Sequence, residues 1–303
     1  MEQTQQDVEY VFVDDCTPDD SMKILCRVLE DYPDRKMQVK ILHNKTNRGA
    51  SLTRRAGLGA CTGEYIICVD ADDYVAPNYL EMLYDKTVKE KADIVWCDFF
   101  RQYGKEWKLI KQTPWGGTSI TVDDEISSVL LGHRQGALWN HLISHGLYDA
   151  IVYFPVRNMA EDMTVLLQMY VQARRMAYVA SPLYYYRYCE MSLSHADGAA
   201  YDARLIRQML DMEANLVLVE RFFRDWGLES RFHKAIVFRK FFDKRWVLPA
   251  LHTSRDCRLW RRCHPDINIV LYGNGYISLS EKLTSILVQI GVYPWVRKII
   301  RRR

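Results

Sequence analysis

No CxxC pair occurs among the eight cysteines, at positions 16, 26, 61, 68, 97, 189, 257 and 263, so their spacing marks no metal or redox site. Several sit inside apolar runs, where cysteine behaves as a small hydrophobe, and reduced thiols in a cytosolic protein are expected. No stretch reaches the roughly 18 to 20 uninterrupted apolar residues that a membrane-spanning helix requires. The opening MEQTQQDVEY has neither an apolar core nor a basic lead, so no secretory signal is expected in it. Internal repeats and low-complexity tracts are also lacking. Charge of one sign is scarce: 41 Lys and Arg against 38 Asp and Glu leave a net of +3, which argues against wholesale nucleic-acid binding.

At 303 residues, the chain can bury a large α/β core with a helical appendage. Short β-branched or aromatic runs alternate with helical ones, the signature of βαβ units around a mostly parallel sheet. Strands are expected at 8–13, 39–44, 65–69 and 92–100. Helices are expected from Ser21, as its cap, to Tyr32, and over 49–60, 77–89, 123–131 and onward from Glu161. The remainder reads as helical over 200–226 and 230–248, with a loop at 252–265. A boundary near HADGAA divides residues 1–198 from a helical region, 199–303.

In GEYIICVDADDYVAPNYL the apolar run ends in Asp70, Asp72 and Asp73. Ligands of open parallel sheets bind outside the carboxyl ends of strands, and Asp14 and Asp15 fall at another such end. Carboxylates this close resist ionisation unless a cation or a polyhydroxyl ligand compensates. Mg2+ or Mn2+ can do so with one or two protein oxygens while substrate phosphates supply others, which is the chemistry of holding a nucleotide diphosphate. A solvated turn or a helix cap is the structural alternative.

VFVDDCTPDDS, NRGASLTRRAGLGACTGEYIICVDADD and AEDMTVLLQMY together resemble the nucleotide-sugar domain of family 2 glycosyltransferases, inverting enzymes of GT-A fold, over residues 1–200. The resemblance implies a Rossmann-like α/β domain and transfer of a sugar from a nucleotide-diphosphate donor, a UDP-sugar above all, to a glycan or lipid-linked acceptor in cell-surface polysaccharide synthesis. It implies that Asp14 and Asp15 face the donor, with Asp15 at the base. Asp70, Asp72 and Asp73 would face the ribose and the metal, with Asp70 and Asp72 as its ligands. Asp162 of the Glu161-Asp162 pair would be the catalytic base. A carboxylate placed there only by the helix dipole is the alternative. Arg54 matches a donor-binding arginine, although Thr53 and Arg55 replace the flanking Ala and Asn. Trp139-Asn140 resembles an acceptor-pocket segment, or else a core Trp. In YYYRYCEMSLSH, Arg187 would meet phosphate and His195 the metal, with a surface pair and a non-ligand histidine as alternatives.

Relatives begin with a further strand and helix that this sequence does not show, so an N-terminally truncated domain with uncertain turnover is expected. A binding-only remnant of the fold is one rival. The other is a DxD phosphohydrolase, which VDADD satisfies and Tyr74 disfavours. The segment 278–303 places Leu279, Leu283, Ile286, Leu287 and Ile290 on one face and Arg and Lys at its end, suiting an anionic bilayer or docking on its own domain. A cytoplasmic location, at or near the inner face of the membrane, follows.

Overall fold

The computed structural model describes residues 1–117, 119–187 and 198–300. β1 (Tyr10–Asp14) leads into α1 (Ser21–Asp31), and β2 (Val39–His43) into α2 (Ala50–Leu58). Then come β3 (Tyr65–Ile66), β4 (Tyr74–Val75), α3 (Tyr79–Glu90), β5 (Ile94–Tyr103), β6 (Glu106–Ile110), α4 (Val122–Leu130), β7 (His141–Ser144), α5 (His145–Asp149), α6 (Glu161–Gln172) and β8 (Met176–Tyr186). The rest is helical: α7 (Gly198–Asp225), α8 (Glu229–Trp246), α9 (Cys257–Arg262), α10 (Ile267–Val270), α11 (Leu279–Gln289) and α12 (Tyr293–Ile300).

The strands form two sheets. β1 and β2 pair in parallel, Tyr10 opposite Val39 through Asp14 opposite His43. The other sheet has six strands in the order β3-β7-β5-β8-β4, with β6 on β5. It is mixed rather than mostly parallel: β5 and β8 run parallel, while β3–β7, β4–β8, β5–β6 and β5–β7 are antiparallel. Of the antiparallel pairs only β5–β6 is a hairpin; the others join strands far apart in sequence, which no local rhythm reveals.

β5 is the axis of the core because successive side chains point to opposite faces. Ile94 and Trp96 pack with Leu166 and Tyr170 of α6, Phe222 and Phe223 of α7, and Phe232 of α8. Val95, Cys97 and Phe99 pack with Tyr79 and Leu83 of α3 and with Trp139 and Tyr184. Both faces of the sheet are therefore covered. The distal half of α7 and the start of α8 share the core of the sheet, and a further core around Phe241, Trp260, Leu271 and Val288 holds the later helices.

Several local expectations are corrected. Ser21 is the first helical residue rather than the cap: Asp20 holds the cap position without a side-chain bond, and the Ser21 N–H donates to Asp19 Oδ1 at 2.9 Å. Only Tyr65 and Ile66 of the apolar run are in a ladder, since β7 is their partner and no other described strand pairs with residues 67–70. The segment 252–265 contains α9, which buries Cys257 and Trp260.

Candidate active site

The parallel pairing brings the carboxyl ends of β1 and β2 together. Asp14 accepts the Thr17 N–H at 2.9 Å through Oδ1 and lies 3.1 Å from His43 Nδ1 through Oδ2. The Thr17 and His43 hydrogen bonds hold its carboxyl below the ordinary carboxylate value. Asp15 organises the following loop: Oδ1 accepts from Asn44 Nδ2 at 2.7 Å and from the Arg48 N–H at 2.8 Å, and Oδ2 from the Gly49 N–H at 2.8 Å. Partial burial raises its pKa, but these donors outweigh it and the net shift is downward. Gly49 itself is required. Its φ of +81° lies in the left-handed range, and a Cβ there would come 2.8 Å from Asn158 Nδ2.

From this loop α2 carries Arg54 inward. Ser51 Oγ donates to the Pro155 carbonyl at 2.5 Å, tying the start of α2 to the segment that leads into α6. Ala160, just before α6, has φ +60°, and Cys16, just after Asp15, has φ +61°. Non-glycine residues held there store about 1–3 kcal/mol of strain, and both adjoin candidate carboxylates.

The result is a cluster drawn from distant parts of the chain. Arg54 Nη1 is 2.6 Å from Asp162 Oδ1 and 3.1 Å from Glu161 Oε1, and Arg54 Nη2 is 3.7 Å from Asp70 Oδ1. Asp162 Oδ2 accepts the Leu138 N–H at 3.1 Å, while Oδ1 faces the Arg54 guanidinium. Burial pushes the Asp70 carboxyl up to about 7, with the Asp162 charge adding and Arg54 opposing. Glu161 is raised by burial and by Asp162, again opposed by Arg54. Burial alone would lower the Arg54 value, but Asp162, Cys68, Glu161 and Asp70 together raise it, so the guanidinium is permanently charged.

Asp73 is held apart from this group. The Tyr184 hydroxyl donates to its Oδ2 at 2.7 Å and the Arg187 N–H to its Oδ1 at 2.7 Å, while the Asp70 N–H donates to Tyr184 Oη at 3.2 Å. Tyr184 thus ties Asp70 to Asp73. It lies within the quoted YYYRY run, and its pairing on β8 was the signal that sequence reasoning passed over. Asp72 is exposed. Among the described residues no three His, Cys, Asp or Glu side chains gather around a common metal position. The donor set of Asp70 and Asp72 is nonetheless hard oxygen with open acceptor sites, which fits a divalent cation that completes its shell with substrate phosphates.

Trp139 and Asn140 both lie in the core. Asn140 is fully buried and its Nδ2 donates to the Cys97 carbonyl at 3.0 Å, so it ties β5 to the segment before β7 instead of facing an acceptor. Trp139, likewise buried, stacks on Tyr184 at 4.3 Å as a core side chain. Arg187 is exposed and reaches Asp73 through its backbone. His195 lies outside the described residues.

Known proteins share this architecture. The uncharacterized glycosyltransferase YibD of Escherichia coli is 27% identical over 281 residues, 88% of this chain and 74% of YibD. Two Bacillus subtilis glycosyltransferases match at 29% and 28% identity, and the chain spans about half of their length, 54% of each. The crystal structure of S. aureus TarS 1-349 with UDP-GlcNAc superposes with a TM-score of 0.58 at 17% identity, covering 99% of this chain and 85% of that one. The mannosyltransferase PcManGT of Pyrobaculum calidifontis, in complex with GDP-Man and Mn2+, gives a TM-score of 0.52 at 13% identity over 100% of this chain and 81% of that one. These likenesses identify the fold as GT-A. Glycosyl transferase family 2 matches residues 1–165, more than half the sequence, and the chain belongs to that family of transferase enzymes.

Proposed function

We propose that the chain moves a sugar, with inversion, from a UDP-sugar to a glycan or lipid-linked acceptor in cell-surface polysaccharide synthesis, working at the cytoplasmic face of the membrane. The observation that carries this reading is the convergence of Asp70 with Glu161 and Asp162 around Arg54. Carboxylates from two separate motifs thereby meet in one place, which supports a donor and an acceptor side that adjoin. The UDP-GlcNAc bound in TarS 1-349 supports the donor class.

Asp70 and Asp72 would hold Mg2+ or Mn2+, in keeping with the Mn2+ of PcManGT. The bound ion would neutralise charge on the diphosphate as it departs. Asp162 would remove the proton from the acceptor hydroxyl while that oxygen bonds to the anomeric carbon. The bond to the nucleotide diphosphate breaks on the opposite face, so the configuration inverts. The Leu138 N–H on Oδ2 and Arg54 beside Oδ1 would fix the orientation of the Asp162 carboxylate. Arg54 would hold it in place through their ion pair. Asp15 would set the loop against which the base lies, and Asp73 would fix Asp70 through Tyr184.

Calorimetry of UDP with and without Mn2+ tests the reading. Mn2+ should strengthen binding, and Asp72→Asn should remove that gain. Equal affinity with and without the metal would overturn the metal role, and absence of UDP binding under both conditions would favour a remnant without turnover.

A further inference from the structure

Helix α11 has two unlike faces. Ser285 and Val288 are buried, whereas Leu279, Leu283, Ile286 and Ile290, spaced by four, three and four residues, are 74%, 54%, 41% and 64% exposed. After the left-handed turn at Gly291 the pattern resumes: Val292, Trp295 and Ile299 are 37%, 67% and 62% exposed. Docking on the protein's own domain is thus satisfied by the opposite side. There, Arg297 Nη1 donates to the Leu248 and Pro249 carbonyls at 3.2 and 2.7 Å, and Arg261 Nη1 donates to the Gln289 carbonyl at 2.6 Å. Large apolar side chains left in water along both helices signal a contact made with something else.

Charge identifies the occupant. From residue 279 onward Glu281 is the single acid, against Lys282, Arg297, Lys298 and the terminal Arg301, Arg302 and Arg303. Glu281 is already committed, to an ion pair with Arg245 and to the capping box with Ser278. α9, which packs on α11, exposes Arg258 and Arg262, and Arg255 just before it is exposed as well. Two copies of this face would set like charges against each other, so a symmetric dimer is disfavoured. Among the described residues no helix is long and apolar enough to cross a membrane.

We propose that the α11–α12 face docks on an anionic lipid bilayer, its apolar stripe entering the headgroup boundary and its Lys and Arg meeting lipid phosphates. Trp295, with Lys298 Nζ 5.8 Å from its ring centroid, sits at the level where amphipathic rings and cations favour the interface. The inference deepens the membrane part of the proposed function and rests on that reading for its purpose: a docked catalytic domain would meet acceptors anchored in lipid.

Vesicle flotation with the full chain tests it, using phosphatidylcholine alone and phosphatidylcholine with one quarter phosphatidylglycerol. Binding to the anionic vesicles should be at least about tenfold tighter, and should collapse between roughly 0.01 M and 1 M salt as the screening length falls from ~30 Å to ~3 Å. The paired change Leu283→Glu and Ile286→Glu, at exposed positions, should weaken flotation at least about tenfold while leaving the circular dichroism and the UDP affinity unchanged. Lys298→Glu should weaken anionic binding with less effect. Flotation of the paired variant equal to the parent, or no flotation of the parent, would overturn the proposal, as would self-association that the paired variant abolishes. Loss of UDP binding with flotation retained would instead remove the transferase reading and leave this surface standing.

Discussion

Arg54 Nη1 lies 2.6 Å from Asp162 Oδ1, an ion pair that joins α2 to the start of α6. The contact is one of charge. One cation on α2 serves Glu161 and Asp162 at the start of α6 and Asp70 after β3, and all but Asp70 are largely buried, with side-chain exposures of 15%, 13% and 16% for Arg54, Glu161 and Asp162.

The first prediction concerns that cation. Arg54→Ala leaves three carboxylates facing one another, and breaking a buried pair from one side costs about 3–5 kcal/mol. Without the guanidinium the acids take up protons more readily in the folded state than in the unfolded one, so the deficit should be largest near pH 8 and shrink toward pH 5. Urea unfolding at both pH values measures it. Arg54→Lys, which keeps the charge but loses the fork, should recover part of the loss. A deficit independent of pH would mean that Arg54 packs rather than compensates.

A second prediction follows from Asp70, whose carboxyl is pushed up to about 7, first by burial and then by Asp162, against the pull of Arg54. A cation binds the ionised form, so UDP affinity in the presence of Mn2+ should rise from about pH 6 and level off above about pH 8. Stability has the opposite sign. The raised value means that the folded state binds more protons than the unfolded one between about pH 4 and pH 7, so this group makes stability fall as pH rises through that window. Glu161, also raised, adds in the same direction. Asp70 keeps 37% of its side-chain surface in water, so only the direction is claimed. Asp70→Asn should raise the thermal midpoint near pH 8 while removing the Mn2+ effect on UDP binding. A lowered midpoint at that pH would contradict the assignment.

Sequence reading located the carboxylates at strand ends and the Glu161-Asp162 pair at a helix start because these lie in continuous motifs whose neighbours obey local rules. Contacts made across long separations stayed hidden. Arg54 and Asp162 are 108 positions apart in sequence, and the loop tied by Ser51 to Pro155 that joins their elements has no periodicity to read. Asn140 looked like an acceptor contact because its neighbours match a motif, but the Cys97 carbonyl it satisfies belongs to β5. The mixed sheet was missed for a related reason: β4 has only two residues, and it is held by pairing with β8 and by the stack of Tyr74 on Tyr185 at 4.6 Å. Tertiary partners, rather than propensity, decide such short strands.

The third prediction tests the core beneath the site. Arg134 Nη2 is 2.8 Å from Glu125 Oε2, with both side chains almost wholly buried, and the guanidinium lies 4.0 Å from the centre of the Trp96 ring. Glu125→Gln leaves that cation without its partner and should cost about 3–5 kcal/mol. The denaturation midpoint should drop with little change in slope. A loss below about 1 kcal/mol would place the pair among those that contribute little.

The last prediction is that Asp162 is the general base. Ala160 is held at φ +60°, α6 begins at Glu161, the Leu138 N–H fixes Oδ2 at 3.1 Å, and Arg54 lies beside Oδ1. A base must lie within hydrogen-bond reach of the acceptor hydroxyl, and the Asp162 carboxylate is held at the head of α6 for such a contact. Asp162→Asn preserves size and can still accept the Leu138 N–H, but it cannot take the proton. Single-turnover transfer should therefore fall by roughly 10²–10⁴, the range typical of general-base loss, while UDP affinity stays within a few fold. Glu161→Gln, altering the neighbour that hydrogen-bonds Arg54, should lower the rate far less. If both variants lost the same rate, the pair would act as a charge cluster and not through one base. Transfer by Asp162→Asn within a few fold of the parent would remove Asp162 from the mechanism, and a product that keeps the donor's anomeric configuration would remove the single displacement itself.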